Sequence, residues 1–383
     1  MLGTTELRAQ FPHTTERTYF NVASNGPMPN RAYEVLNGSL STSRHAMIGA
    51  QENVFESLTS ISANGARIFG CSPDEVGFGF NTTFGINLAA FGLPLEAGDE
   101  VLLSDVDFPT NVYPWLELRN RGINVKFIKS INRCFSIDEL RKAITKNTKC
   151  LSVSFVQFFN GYKSDLKAIG EICKANGMYF VVDAIQGAGV EPLRLNEWGV
   201  DIASAGAQKW LLSSQGTGLY FISKEMQSVI RPPWRSWLSI DWKCDWTNLN
   251  DYGRAYPKTA RQFELGTYPV PIMLGMDESI KFLTEIGTEN IQAHNHALLD
   301  RLITYLESNP AYTITSDLTP AARSGILTFT TTSGDIRSVF THLQKMKIMI
   351  ALREGSIRVS VHVFNNFDDI ARLIEGLESA ALS

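Results

Sequence analysis

Between about residue 50 and residue 225, short apolar runs alternate with amphipathic stretches along the chain. The apolar runs are VGFGF (76–80), EVLLS (100–104), VKFIK (125–129), CLSVSFV (150–156), MYFVVD (178–183), DIASA (201–205) and GLYFIS (218–223). Runs of this length, bounded by helical patterns, read as the strands of a mainly parallel sheet covered by helices. TTFGINLAAF (82–91), SIDELRKAI (136–144) and DLKAIGEICKANG (165–177) carry the helical spacing, and Gly177 marks a helix stop. The pattern predicts an α/β domain.

The alternation breaks over 231–269, where Pro232, Pro233, Trp234, Trp237, Trp242, Trp246, Tyr252 and Tyr256 crowd a stretch of little periodicity. An irregular segment of that length within a compact fold is expected to be functional or interfacial. Beyond 270 come two longer helical patterns, the strands GILTFTT (325–331) and SIRVSV (356–361), and a last helix DDIARLIEGLESAAL (368–382). They suit a small α+β unit. The expected division is a large domain over 20–270 and a small one over 271–383 joined by 1–19, which 383 residues can supply.

Charge narrows the partners. With 35 Lys and Arg against 39 Asp and Glu the net charge is -4, and no basic run gathers phosphates, so nucleic acid and membrane surfaces are not expected partners. Five cysteines lie scattered without a C-x-x-C pair, which predicts neither disulfide framework nor zinc knuckle and fits a reducing compartment. The first residues lack a basic segment followed by an apolar one, and no apolar run is long enough to span a bilayer, so a cytoplasmic protein is expected.

Two residues bring chemistry. Asp183 ends the run MYFVVD, placing a carboxylate at the carboxyl end of a buried strand, the edge where ligands bind in such sheets. From these residues alone it serves equally as a turn or helix cap. Gln186 follows one turn later. Lys209 stands in SAGAQKWLLSSQGTG (204–218) among small and apolar neighbours, with little access to bulk water. Desolvation lowers an amine's pKa and favours the neutral nucleophile that Schiff-base chemistry needs, although a lysine can also snorkel from a strand end. An aspartate to hold a pyridinium nitrogen and a lysine to form an imine are the groups that pyridoxal 5'-phosphate (PLP) chemistry requires. Thr82 and Thr83, at the start of a helical pattern, offer a phosphate cradle of amides and hydroxyls. His294 and His296, two apart on a helix, point in different directions, so no metal site is expected. The S-x-x-K at 164–167 has no K-T-G companion, and no G-x-G-x-x-G follows a strand.

The ordered blocks YFNVASNGPMP, NTTFGINLAA, DVDFPTNVYPW, VVDAIQGAG, SAGAQKWLLSSQGTG, FELGT and IRVSVHVFNN resemble those of the class V aminotransferase family of PLP enzymes over nearly the full chain. That family includes cysteine desulfurases, selenocysteine lyases, isopenicillin N epimerase and kynureninase. The resemblance implies the aspartate aminotransferase-like fold, with a mainly parallel seven-stranded sheet in the large domain. It implies Lys209 as the Schiff-base lysine, Asp183 on the pyridine nitrogen and Gln186 at the ring hydroxyl. By the same resemblance Phe108 stacks on the ring, Thr82, Thr83 and Gln208 meet the phosphate, and Thr267 crosses to the phosphate of a second subunit in a homodimer. Arg358 would clamp the substrate carboxylate, a task its paired donors suit, and Asn25 lies in the segment that builds the substrate pocket.

Departures qualify this. Ala207-Gln208-Lys209 stands where relatives read Gly-His-Lys, Gly206 where they often have Ser or Asp, and Gln157-Phe158 where many carry Ser-Asn. Persulfide-forming desulfurases place a cysteine shortly before the carboxylate arginine, whereas KMKIMIALREGSIR contains none. Cys244 is a remote candidate, and Arg353 is a candidate for a second substrate acid. The expected function is a PLP enzyme acting on a small amino acid through an external aldimine, as aminotransferase or β-lyase. The alternatives are an epimerase of the isopenicillin N type and a PLP-binding dimer that has lost catalysis.

Overall fold

The computed structural model describes residues 2–45, 52–242 and 247–381. All seven apolar runs form strands of one sheet: β1 Val76–Gly79, β2 Glu100–Ser104, β3 Asn124–Ile128, β4 Thr148–Ser154, β5 Tyr179–Asp183, β6 Ile202–Gly206 and β7 Gly218–Ile222. Their order is β1-β7-β6-β5-β4-β2-β3. The β3-β2-β4-β5-β6 pairs are parallel, and β7 runs antiparallel between β6 and β1. The sheet is therefore mixed but mainly parallel. Central strands β2, β6 and β7 are buried at every residue, because helices cover both faces. On the edge strand β3 only Val125 and Ile128 are buried, while Lys126 and Phe127 face outward.

Helices fill the connections and the flanks. Those longer than five residues are α1 Asn30–Arg44, α2 Glu52–Phe69, α3 Thr82–Gly92, α4 Ile137–Ala143, α5 Leu166–Ala175, α6 Val270–Ile286, α7 Thr288–Ser308, α8 Ile336–Lys345 and α9 Phe367–Ala381. Gly177, two residues past α5, adopts φ 63°, the left-handed conformation expected of a helix stop. A four-stranded antiparallel sheet, in the order β10-β11-β9-β8, forms from β8 Tyr312–Ile314, β9 Ile326–Thr331, β10 Ala351–Arg353 and β11 Ser356–Ser360.

The apolar residues fall into separate cores. Met273, Met276, Ile280 and Leu283 of α6 join the large core that covers one face of the main sheet. Leu298, Leu302 and Leu306 of α7 belong instead to the core under the small sheet, together with Phe20. The N-terminal segment runs between them: Thr18 and Tyr19 pair with Ile348 and Met349, and Asn21 bridges to Ser360. Residues 20–26 thereby lie where the two sheets meet. The described part of 231–269 contains only short turns, among them Trp237–Ser239 and Ala260–Phe263. Trp246 and Cys244 lie outside the described residues. Among the described residues no helix is long and apolar enough to cross a membrane.

Candidate active site

Six of the seven main strands point the same way, so their carboxyl ends form one edge, and the candidate residues follow those ends. Lys209 sits three residues past β6, in a tight turn. Ser213 N–H donates to the Ala207 carbonyl at 2.9 Å and Leu212 N–H to the Lys209 carbonyl at 3.1 Å. Closing the turn puts Leu212 at φ 54°, an uncommon conformation for a leucine. Full burial of its side chain and the hydrogen bond from Ser279 Oγ to its carbonyl at 2.8 Å hold it there.

Both neighbours of Lys209 are anchored. The Gln208 carbonyl accepts from Gly26 N–H at 2.8 Å. Trp210 is buried, donates Nε1 to Gln186 Oε1 at 2.7 Å, and stacks at 26° on His362, whose Nε2 in turn meets the Trp210 carbonyl at 3.1 Å. Gly26 is a positioning residue that its sequence context did not reveal: a Cβ there would lie 1.9 Å from the Lys209 carbonyl oxygen. Backbone cannot yield as a side-chain tip can, so Gly26→Ala is expected to cost at least about 2 kcal/mol of stability, measured by denaturant unfolding. Unchanged stability would show that the two segments do not touch.

Between these anchors the Lys209 amine has no hydrogen bond or ion pair to a described residue. Its Nζ lies 5.6 Å from the centroid of the Phe108 ring. Burial pushes its pKa down to about 8; the charge of Asp183 opposes that shift, while Arg358 and Arg353 reinforce it. Asp183, at the end of β5, is buried and accepts from Ile185 N–H at 3.0 Å. Burial raises its carboxyl to about 7 against the pull of that bond and of Lys209, with the Asp107 carboxylate adding to the rise. The aspartate and the lysine thus act electrostatically on each other without forming an ion pair.

Gln186 is buried, with Nε2 donating to the Ala23 carbonyl at 3.1 Å and Oε1 accepting from Trp210. One amide hydrogen is left over for a ligand. Thr82 and Thr83 begin α3, whose cap is Asn81: its Oδ1 accepts from Phe84 N–H at 2.9 Å. The Thr82 hydroxyl is buried and accepts from Gly206 N–H at 2.9 Å, tying the helix start to the end of β6. Thr83 is exposed, with its hydroxyl 3.2 Å from that of Thr110. Gln208 Oε1 is buried without a partner, and the side chain folds over Gly206, where a Cβ would come within 2.4 Å of that oxygen. Thr267 is exposed on the turn after Phe263 and Glu264. Glu264 anchors that turn by accepting from Phe78 N–H at 3.1 Å and from the Tyr268 hydroxyl.

Phe108 follows the end of β2, 40% exposed, with its ring edge-on to Phe158 at 5.1 Å. Its neighbour Asp107 went unread in the sequence, yet it organises a buried network. It accepts from Gln157 Nε2 at 2.7 Å and from Asn111 Nδ2 at 2.8 Å, and Asn111 Oδ1 accepts from the Ser152 hydroxyl at 2.6 Å. Only the D-x-x-x-N spacing of DFPTN hinted at it. The network fixes the loop that carries Phe108.

Arg358, on β11, is 1% exposed. Nη2 donates to Ser24 Oγ at 2.6 Å and Nη1 to the Phe158 carbonyl, while Nε is buried without a partner. Among the described residues it has no carboxylate partner. Asn25 is exposed; its carbonyl accepts from the Tyr19 hydroxyl at 2.6 Å, and Nδ2 reaches only the Gly26 carbonyl at 3.5 Å. The fold accordingly brings Lys209, Asp183, Gln186, Phe108 and the start of α3 to one edge of the main sheet, with the charge of Arg358 acting on the lysine from the small sheet. No hydrogen bond links Thr267 to that group among the described residues.

Chemically, a partly desolvated amine and a buried carboxylate that act on each other, with a guanidinium nearby that pairs with no carboxylate among the described residues, can serve a Schiff-base cofactor and an anionic substrate. Comparison with known proteins gives the family. Residues 30–373 match the model of the family described as aminotransferase class-V. The chain is 27% identical over 319 residues to an uncharacterized aminotransferase of Bacillus subtilis, covering 83% of this chain and 82% of that one. It is 25% identical to the isopenicillin N epimerase of Amycolatopsis lactamdurans, covering 94% of each. The solved apo structure of a cysteine desulfurase from Thermococcus onnurineus NA1 superposes with a TM-score of 0.88 at 22% identity, covering 100% of this chain and 99% of that one. The mixed seven-stranded sheet, the small antiparallel sheet and the family match together show that this chain belongs to the class V aminotransferase family of PLP-dependent enzymes.

Proposed function

We propose that the chain binds PLP at the carboxyl edge of the main sheet and acts on a small amino acid as an aminotransferase or β-lyase. The observation that carries this reading is the unpartnered, partly desolvated Lys209 amine set against the buried Asp183 carboxyl. The residues present fit the cofactor. Phe108 offers a partly exposed ring face for stacking, Gln186 keeps a free amide hydrogen, and Gln208 Oε1 is a buried acceptor without a partner. The start of α3 supplies amides for the phosphate.

When bound, the cofactor supplies an electron sink for negative charge at the substrate Cα. The chain does the rest. Asp183 would hold the proton on the cofactor's ring nitrogen, Lys209 would carry the cofactor covalently, and the same amine, when free, would be the base for the substrate Cα proton. Phe108 carries no titratable atom, which leaves Lys209 as the base on that side. Arg358 grips the substrate carboxylate.

The names of the relatives span an aminotransferase, an epimerase and a desulfurase, so family alone does not choose the reaction. Loss of sulfur to a thiol of the chain is disfavoured at the described cysteines. Burial raises the pKa of Cys71, Cys150 and Cys173, and pushes that of Cys134 up to about 11. A leaving group released directly, or transfer of the amine, fits better.

A homodimer completes the proposal. Thr267 is exposed and makes no hydrogen bond to its own chain's site among the described residues, and a hollow of about 440 Å³ opens outside the start of α3, lined by Thr83, Pro109, Thr110 and Tyr113. Tyr113 is 69% exposed there. A second subunit seated on that side would bring its own Thr267 turn to the phosphate.

The test uses Asp183. Its folded pKa lies above the unfolded value of 3.8, so its contribution to stability is complete below pH 4 and is lost as pH rises through about 7. Cofactor-free Asp183→Asn should therefore melt above the cofactor-free wild type at pH 8, the gap narrowing below pH 7 and closing only near pH 4. A pyridinium opposite the carboxylate reverses this cost, so PLP should raise the melting temperature of the wild type more than that of the variant. Equal gains in both would overturn the assignment of Asp183.

A further inference from the structure

The cationic side of the site is larger than one substrate carboxylate requires. β10 and β11 form a hairpin with Arg353 opposite Ser356. Glu354 and Gly355 close it with φ 45° and 79°, the two positive values of a tight type I′ turn. Residues directly opposite share a face, and Ser356 and Arg358 share a face two positions apart. Arg353 and Arg358 therefore project from the same side of a stiff hairpin, Arg358 buried and Arg353 exposed near the tip.

Both reach one atom. Ser24 Oγ accepts from Arg358 Nη2 at 2.6 Å and from Arg353 Nη2 at 3.5 Å. With its acceptor positions taken, the hydroxyl keeps its own hydrogen to donate. The other contacts of the two guanidinium groups are the Phe158 carbonyl and, for Arg353 Nη1, the Leu352 carbonyl at 3.0 Å. Among the described residues neither arginine meets a carboxylate: the adjacent Glu354 pairs with Arg133 at 3.5 Å. Two like charges converging on one neutral hydroxyl repel each other, and two anionic groups would relieve them.

We propose that Arg353 and Arg358, with Ser24 between them, bind an amino acid that carries a second carboxylate on its side chain. Arg358 takes the α-carboxylate and Arg353 the side-chain acid. The assignment of Arg358 rests on the proposed function above; that of Arg353 is new. A dicarboxylic amino acid is thus the favoured substrate class, ahead of neutral ones.

The test is calorimetric titration of the cofactor-loaded full chain with succinate and glutarate against butyrate and valerate, acids that lack the reacting amine. A charge-assisted pair predicts a preference for the dicarboxylates of at least about tenfold. In Arg353→Gln, a change on an exposed hairpin, that preference should fall to about twofold or less, and Arg353→Lys should restore part of it. Equal binding of the two acid classes by the wild type, or a preference retained in Arg353→Gln, overturns the proposal. Its failure is separate from that of the cofactor reading, which falls instead if borohydride fixes no cofactor on the wild-type chain.

Discussion

Lys209→Ala is expected to fold, to retain no cofactor after borohydride treatment, and to lose at least about 10³-fold in turnover, within the range attributed to a positioned proton-transfer group. The fold should survive because the anchors of this turn are main-chain bonds. The Gln208 carbonyl still meets Gly26 N–H, and Leu212 N–H still meets the carbonyl of residue 209. Removing the amine also removes a group whose charged form burial disfavours. The same shift sets a pH signature in the wild type. With the amine pushed down to about 8, the rate at which added PLP attaches should climb between pH 7 and 9 rather than near the 10.5 of a free lysine. Absorbance of the loaded protein, with mass spectrometry after borohydride reduction, reads both results. Cofactor fixed on the Lys209→Ala variant, or at another lysine of the wild type, would end the assignment.

The second large effect concerns Arg358. Truncating one partner of a buried, hydrogen-bonded charge pair costs about 2–5 kcal/mol. Arg358→Ala should accordingly lower kcat/KM by at least about 30-fold, mainly through KM. A structural contribution accompanies it, since Ser24 Oγ and the Phe158 carbonyl lose their donors in a buried place. Two measurements separate the roles. Arg358→Lys keeps the charge but loses the planar fork, so it should remain folded and still bind substrate poorly. Added guanidinium ion should restore substrate binding to Arg358→Ala, which a purely structural defect would not allow.

Much of the fold was legible because its main sheet is made of local apolar runs. All seven lie within one or two residues of their observed positions, since a strand buried on both faces must be apolar throughout. Helix α1 escaped notice for the opposite reason. It buries only Ala32 and Ser39 and leaves Tyr33, Val35 and Leu40 exposed, so no apolar stripe marks it. The strands β8 and β10, three residues each, are too short to register a period. At the site, Asp183 and Lys209 could be read because each terminates or follows a strand, and strand ends define the ligand edge. Gly26, Ser24 and the Asp107 network could not. Apart from Asn111, four residues from Asp107, their partners lie far away in sequence, and a small or polar residue in a loop carries little local sign of what will pack on it.

The amino-acid sequence by itself determined which segments become strands and helices, that an amine and a carboxylate stand at strand ends, and which family the ordered blocks resemble. Those are local properties: apolar runs, helical spacing and turn residues act over a few positions. Only the tertiary structure decided that Gly26 backs the Lys209 turn, that Asp107 ties down the Phe108 loop, and that two arginines from one hairpin meet at Ser24 with no acid of the described residues between them. Such contacts are made by chain segments that folding brings together from separate parts of the sequence, and their energies depend on burial and distance, which are defined only once the chain has packed.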